Sequence, residues 1–223
     1  HNPRHWNALK LLNRHGEFLT AADGGEVLKI AEEEAFVYAD VEHLGKYTEE
    51  NFDNRHVESI LNLKLVDADK IHEKRFTVCV DAINSVGSII LPKLLDRLGV
   101  GYTILNKEPN GDFEHNPEPL EKNLQGIMNE MKTGRYNLGI VVDPDVDRLA
   151  FITEEGKMFG EEYTLVAVAD YILSEMSETE NHPPLNTVSN LSSTRALRDV
   201  TEKYGGTYTA AAVGEVNVTT KMK

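Results

Sequence analysis

Short apolar runs alternate with longer amphipathic stretches along the middle of the chain. Strands are predicted at the apolar runs 77–81, 101–105 and 138–142, each of a length typical of buried strands. Helices are predicted where apolar positions recur at helical spacing, at residues 56–63, 87–98 and 120–133. Because strands that alternate with helices form βαβ units, this pattern predicts an α/β fold with a parallel sheet.

The same kind of pattern extends towards both ends of the chain. Before a polar connection at residues 46–55, we expect a short strand at 8–12 and an acidic helix at about 25–35. In the last third we expect a helix at 162–175, a strand at 186–190, and a further helix from Ser192 to the Gly205–Gly206 pair. The polar connection is therefore predicted to separate two regions of structure.

The net charge of the chain indicates which partners are disfavoured, and its cysteine content bears on the cellular compartment. The chain has 37 Asp and Glu residues against 23 Lys and Arg, a formal net charge of −14, which disfavours nucleic acid and anionic membranes as partners. Its apolar stretches are too short to span a bilayer. The single cysteine, Cys79, is expected to be a buried strand residue. One cysteine cannot form a disulfide within the chain, which is consistent with a cytoplasmic protein.

The segment with the clearest chemistry follows the predicted strand at 138–142. Asp143, Asp145 and Asp147 alternate along it, and Arg148 comes next. If the backbone stays extended, alternation turns the three carboxylates to one side, where their oxygens can converge on one ion. Hard oxygen ligands at the carboxyl end of a strand suit Mg²⁺, and an adjacent guanidinium suits phosphate. The segment therefore predicts a magnesium site that handles phosphate.

Other interpretations of this segment have to be weighed. An acidic turn punctuated by Pro144 would need no metal. An EF-hand loop would place Glu154 at its twelfth position, but it requires Gly at the sixth, where this chain has Arg148, and it requires flanking helices rather than apolar strand-like runs. These features favour the magnesium site over the calcium loop.

A second loop, at residues 81–88, could also be taken for a phosphate site. Gly87 and Ser88 could offer backbone amides at the start of a helix. The glycine-rich nucleotide-binding patterns are absent, however, and Asn84 and Ser85 are common helix-capping residue types. We predict helix caps at these two positions and no nucleotide site.

Several motifs, taken in order, resemble those of the α-D-phosphohexomutase family, which includes phosphoglucomutases and phosphomannomutases. His1-Asn2-Pro3 and the later Asn7-Ala8-Leu9-Lys10 resemble the family's active-site loop, with Ala8 in place of Gly, and residues 143–148 match its D-x-D-x-D-R metal loop. Residues 113–119 resemble its F-x-x-x-x-P-x-P turn, with three residues rather than four between the Phe and the first Pro, and residues 160–162 resemble its Gly-Asp/Glu element. The resemblance covers the whole chain and implies successive α/β domains with mixed or parallel sheets and flanking helices.

The resemblance also implies a division of the chain into domains. Residues 1–50 would be the C-terminal part of a first domain with the active-site loop, residues 52–153 a complete metal-binding second domain, and residues 157–223 the N-terminal part of a sugar-binding third domain. The serine that carries phosphate in the family would immediately precede His1. On this basis we expect an incomplete fragment that depends on the remaining domains of a parent chain.

Further roles follow from the resemblance. Lys10 would assist proton transfer, because a lysine desolvated beside Arg148 can have a lowered pKa, and His1 would lie next to the nucleophile. Substrate contacts are implied at Ser192, Ser193, Arg195, Gly214 and Glu215. For the group from Ser192 to Arg195, simple helix capping is an equally good interpretation. Some bacterial relatives carry a basic or imidazole residue at the position of Glu215, so the preferred sugar is open.

The activity that the resemblance implies is Mg²⁺-dependent interconversion of hexose 1-phosphate and hexose 6-phosphate. It would proceed through a phosphoserine and a bisphosphorylated sugar, with a phosphorylated hexose as the partner. Two alternatives belong to other classes. One is a divalent-metal-binding module without chemistry, and the other is a phosphatase in which Asp143 is the nucleophile.

Overall fold

The computed structural model describes residues 9–223. The strands are β1 (Thr77–Asp81), β2 (Gly101–Leu105), β3 (Leu138–Val142), β4 (Leu149–Ile152), β5 (Thr187–Asn190) and β6 (Tyr208–Ala211). The α-helices are α1 (Ala21–Glu32), α2 (Asp53–Leu61), α3 (Ala68–Lys74), α4 (Gly87–Arg97), α5 (Gln125–Met131), α6 (Glu161–Ser177), α7 (Ala196–Lys203) and α8 (Glu215–Met222). Two 3₁₀ turns lie at Val41–His43 and Glu121–Asn123. None of the described helices is both long enough and apolar enough to cross a bilayer.

The first four strands form one sheet in the order β2-β1-β3-β4. β1 pairs in parallel with β2 and β3, whereas β4 runs antiparallel to β3 at the edge. The three predicted strands of this region are confirmed with their bounds, and the α/β fold class is confirmed. The sheet is mixed rather than wholly parallel, because the chain turns straight back from β3 into β4 without a crossover helix.

The core lies on both faces of this sheet. Alternation along β1 sends Val78 and Val80 into one cluster, which the α4 residue Leu95 completes, and sends Cys79 into the other. The second cluster includes three residues of α5, of which Ile127 and Met131 are fully buried. Cys79 is buried as predicted, and burial raises the pKa of its thiol to about 12. β1 is therefore the centre of the folded unit.

Several helix bounds differ from prediction for local reasons. The helix expected at 25–35 begins at Ala21, because the Thr20 hydroxyl accepts the Asp23 backbone N–H at 3.2 Å and caps the end. The helix expected at 120–133 is divided into the second 3₁₀ turn and α5. The strand expected at 8–12 is, in the described part, a single bridge between Leu12 and Phe18.

Contacts divide the chain into two compact units. The first contains Phe52–Thr187 and Ser193–Tyr208, and with them the four-stranded sheet. The second contains residues 9–51, Val188–Ser192 and Thr209–Lys223. β5 and β6 pair as a separate two-stranded sheet. The three predicted domain ranges stay a prediction.

Candidate metal centre

A six-residue loop joins β3 to β4 and carries the acidic segment. The last pair of the β3–β4 ladder is Val142 with Leu149, so residues 143–148 form the whole connection. The loop is a turn rather than extended backbone: the Val146 N–H donates to the Asp143 carbonyl at 3.1 Å, and Val146 has φ 61°. The condition of extended backbone, on which the argument from alternation depended, is therefore not met, because a tight antiparallel return requires a turn here.

The turn nevertheless brings the predicted ligands together. One carboxylate oxygen each from Asp143, Asp145 and Asp147 lie within 4.8 Å of one another. Asp143 is only 1% exposed, whereas Asp145 and Asp147 are exposed. The cluster thus has one ligand anchored in the protein and two facing solvent, which leaves room for waters or a ligand oxygen on a bound cation.

Backbone hydrogen bonds hold the anchored carboxylate in place. Asp143 Oδ1 accepts the backbone N–H groups of Asp147 and Arg148, both at 3.1 Å. Two donors on one oxygen fix the direction of the carboxylate and stabilise the return of the chain into β4. Asp143 therefore both shapes the loop and supplies a candidate ligand.

Electrostatics in the loop favour a cation. Burial raises the pKa of Asp143 to about 6, and the charges of Asp147 and Asp145 add to the increase, while the hydrogen bond from the Arg148 backbone opposes it. A positive charge placed among carboxylates at this range relieves their mutual repulsion. The donor set, which is all carboxylate oxygen, fits a hard divalent ion.

A serine distant in sequence ties this loop to the sheet. The Ser85 hydroxyl donates to the Pro144 carbonyl at 2.7 Å. The prediction of helix caps at Asn84 and Ser85 is wrong, because α4 begins at Gly87 after Val86 without a side-chain cap, and the Asn84 amide instead donates to the Asp112 carbonyl. Sequence alone offered no signal for the Ser85 contact, which joins residues 59 positions apart.

Arg148 pairs with a residue of the predicted F-x-x-x-x-P-x-P turn. Its Nη1 lies 2.8 Å from Glu118 Oε1, and the Arg148 side chain is 36% exposed. Glu118 thus orients the guanidinium at the edge of the metal loop, where it can meet a ligand from solvent. The sequence interpretation missed Glu118, although the motif match at residues 113–119 marked the segment that supplies it.

The other two predicted catalytic residues, Lys10 and His1, are not among the described residues of the compact unit that contains this loop. His1 lies outside the described residues. Lys10 belongs to the second compact unit, where its Nζ lies 5.9 Å from the Phe18 ring centroid and the side chain is exposed. The catalytic role of Lys10 stays a prediction.

The predicted substrate-binding residues are divided between the two units. Ser193 and Arg195 belong to the unit that holds the metal loop, whereas Ser192, Gly214 and Glu215 belong to the other. The predicted helix starts later than expected, at Ala196, whose N–H the Thr194 hydroxyl accepts at 3.2 Å. Glu215 is the first residue of α8, which the sequence pattern did not predict. Substrate binding by these five residues stays a prediction.

Comparison with known proteins places this architecture in a family. Residues 54–156 match the family description "Phosphoglucomutase/phosphomannomutase, alpha/beta/alpha domain II", and residues 160–223 match the description of domain III of the same family. The chain belongs to the phosphoglucomutase/phosphomannomutase family. The resemblance inferred from the motifs is thereby confirmed.

Individual relatives agree with this assignment. The chain is 33% identical to a phosphoglucomutase/phosphomannomutase of Thermococcus kodakarensis, over 98% of this chain and 46% of the relative. It is 29% identical to a probable phosphoglucosamine mutase of Methanopyrus kandleri, over 100% of this chain and 47% of the relative. The chain thus spans about half the length of the curated relatives it matches.

A solved structure supports the fold. A crystal structure of a phosphoglucomutase/phosphomannomutase family protein from Burkholderia thailandensis superposes with a TM-score of 0.76 at 23% identity. The match covers 92% of this chain and 42% of that one. At this identity the similarity is evidence for the fold alone.

Proposed function

We propose that the chain contributes the metal centre of a phosphohexose mutase, which interconverts hexose 1-phosphate and hexose 6-phosphate. The observation that carries the proposal is the convergence of Asp143, Asp145 and Asp147 beside Arg148. A cation site next to an oriented guanidinium is suited to a phosphoryl group, which carries its negative charge on several oxygens. Membership of the family supports the same reaction class.

In the proposed reaction, a phosphoserine transfers its phosphoryl group to one hydroxyl of a hexose phosphate. The other phosphate of the resulting bisphosphate then returns to the serine. Asp143, Asp145 and Asp147 would hold Mg²⁺, which when bound supplies positive charge for the phosphoryl oxygens. Arg148 binds and orients the phosphate, and Lys10 and His1 are proposed to assist proton transfer and to border the nucleophile.

The geometry favours this reaction over the two alternatives. As a phosphatase nucleophile, Asp143 would have to reach a phosphorus atom, yet it is buried and one of its oxygens already accepts two backbone N–H groups. A metal-binding module without chemistry would have no use for Arg148 held by Glu118. Related proteins are named for different sugars, so the proposal extends only to a phosphorylated hexose. A cytoplasmic setting is part of the proposal and is supported by the single cysteine of the chain.

Magnesium titration tests the metal site. In isothermal titration, the wild-type chain is expected to bind Mg²⁺, and Asp145→Asn to bind it at least about tenfold more weakly, the change that 1.4 kcal/mol represents. The reason is that an amide offers a neutral oxygen in place of a charged ligand. Glu154→Gln is the matched control, because Glu154 is exposed and would be a ligand only in a calcium-type loop. Equal affinities for wild type and Asp145→Asn would refute the site.

Phosphosugar binding tests the role of Arg148. With saturating Mg²⁺, the wild-type chain is expected to bind glucose 1-phosphate more tightly than without metal. Arg148→Gln should weaken that binding by roughly 10- to 100-fold, the value of a charge-assisted hydrogen bond of about 1.5–3 kcal/mol, while leaving Mg²⁺ affinity unchanged. Release of inorganic phosphate, lost in Asp143→Asn, would instead support the phosphatase.

A further inference from the structure

A buried carboxylate at the end of β1 is tied to the segment at residues 113–119. Asp81 is 2% exposed, and its Oδ1 accepts the Ile83 backbone N–H at 3.1 Å and the Asn106 side-chain amide at 2.9 Å. Its second oxygen, Oδ2, lies 3.1 Å from His115 Nε2. The carboxylate is therefore held rigidly by β1 and its neighbours, and it presents one oxygen to the histidine.

Both ring nitrogens of His115 face hydrogen-bond acceptors. Nε2 faces the Asp81 carboxylate, and Nδ1 lies 2.9 Å from the Asn116 carbonyl oxygen. A neutral imidazole carries a single N–H, whereas the imidazolium carries two, so both contacts are satisfied at once only by the charged ring. The hydrogen bond that His115 donates to the Asp81 carboxylate raises the pKa of His115, against the opposing effect of burial.

The charges around His115 agree with this protonation state. Asp81 faces it from β1, and Glu114 adds a negative charge from the same segment. Glu130 of α5 lines the adjoining cavity of about 460 Å³ but is paired with Arg135. The His115 side chain is 18% exposed, so its proton can equilibrate with solvent.

A short, hydrogen-bonded path leads from His115 to Arg148. The Asn116 carbonyl oxygen accepts the hydrogen bond from His115 Nδ1. The side-chain oxygen of Asn116 accepts the Glu118 backbone N–H at 3.0 Å. The Glu118 carbonyl is held by the Asn123 amide at 2.8 Å, and the Glu118 carboxylate pairs with Arg148. Fixing His115 therefore fixes the backbone that carries the partner of Arg148.

We propose that His115, as an imidazolium bound to Asp81, is a positioning residue that holds residues 113–119 in place and so orients Arg148 through Glu118. The orientation of Arg148 then depends on pH. Because the pKa of His115 in the folded chain lies above its ordinary value of 6.5, the charged contact with Asp81 is present below pH 6.5 and is lost as pH rises through the folded pKa. The structural part of the inference stands on geometry, and its consequence for phosphate binding rests on the proposed function.

Nuclear magnetic resonance of the wild-type chain tests the protonation state without any substitution. Ring ¹⁵N shifts across a pH series should show His115 doubly protonated at pH 6.5, where an ordinary histidine is half charged, and losing its proton at higher pH. The Arg148 Nη–H signals, whose Nη1 pairs with Glu118 Oε1 at 2.8 Å, should broaden over the same pH range. A His115 ring that is neutral at pH 6.5 would overturn the inference.

The variant His115→Gln separates positioning from general stability. It should leave the Arg148 Nη–H signals broadened at all pH values and remove their pH dependence, whereas the control His56→Gln, an exposed histidine of α2, should behave as wild type. An unchanged Arg148 signal in His115→Gln would also overturn the inference. Failure of the proposed function would look different: no Mg²⁺-dependent binding of glucose 1-phosphate by the wild-type chain, with His115 still charged.

Discussion

Asp143→Asn is expected to abolish Mg²⁺ binding and at the same time to stabilise the metal-free chain at pH 7.5. The carboxylate has a pKa of about 6 in the folded chain against 3.8 for an ordinary aspartate, so its ionised form opposes folding by about 3 kcal/mol. An amide keeps an oxygen for the Asp147 and Arg148 N–H groups but carries no charge. We expect unfolding in urea without metal to show a gain of about 1–3 kcal/mol.

The pH dependence identifies the cause of this gain. A carboxyl group with a raised pKa in the folded chain does not lower the free energy of unfolding below pH 3.8, where it is protonated in both states. As pH rises from 3.8 towards 6, the group ionises more readily in the unfolded chain, and the free energy of unfolding falls. The difference between wild type and Asp143→Asn should therefore grow over that range and then stay constant. Added Mg²⁺ should stabilise wild type but not the variant. A variant less stable than wild type at pH 7.5 without metal would contradict the electrostatic argument.

Ile152→Ala should cause the largest loss of stability, about 2–5 kcal/mol, because it leaves a cavity where a fully buried side chain packs. Ile152 lies opposite Gly139 in the β3–β4 ladder, where the β-carbon of any other residue at 139 would come within 2.8 Å of the Ile152 Cβ. The two strands that carry the metal loop therefore depend on this contact. Chemical denaturation measures the loss.

Leu149→Ala is the matched control for this effect, because Leu149 lies on the same strand but is 37% exposed. A partly exposed side chain at the strand's edge leaves no cavity when it is shortened, so the cost should stay below about 1 kcal/mol. Similar losses for the two variants would mean that β4 does not pack as described. Ile152 is not a metal ligand, so Mg²⁺ affinity should fall in Ile152→Ala only if the loop at residues 143–148 becomes less ordered.

The elements of the central sheet were predictable because their determinants are local. Five-residue apolar runs bounded by polar turns predict buried strands, and β1, β2 and β3 have the predicted bounds. The alternation of Asp143, Asp145 and Asp147 before Arg148 likewise marked a metal loop by residue type and spacing alone. Helix bounds were less well predicted, since capping by Thr20 and the break before α5 depend on single side chains and backbone angles.

The surroundings of the metal loop were decided only by the tertiary structure. The acidic residues converge through a turn at Val146 that the antiparallel pairing of β4 requires, whereas the argument from sequence brought them together only if the backbone stayed extended. The contacts of Ser85 with Pro144, Glu118 with Arg148 and Asp81 with His115 join residues 30 or more positions apart. Sequence determined which groups this protein has for phosphate chemistry; packing of the strand ends decided which of them meet, because hydrogen bonds depend on distance in space and not along the chain.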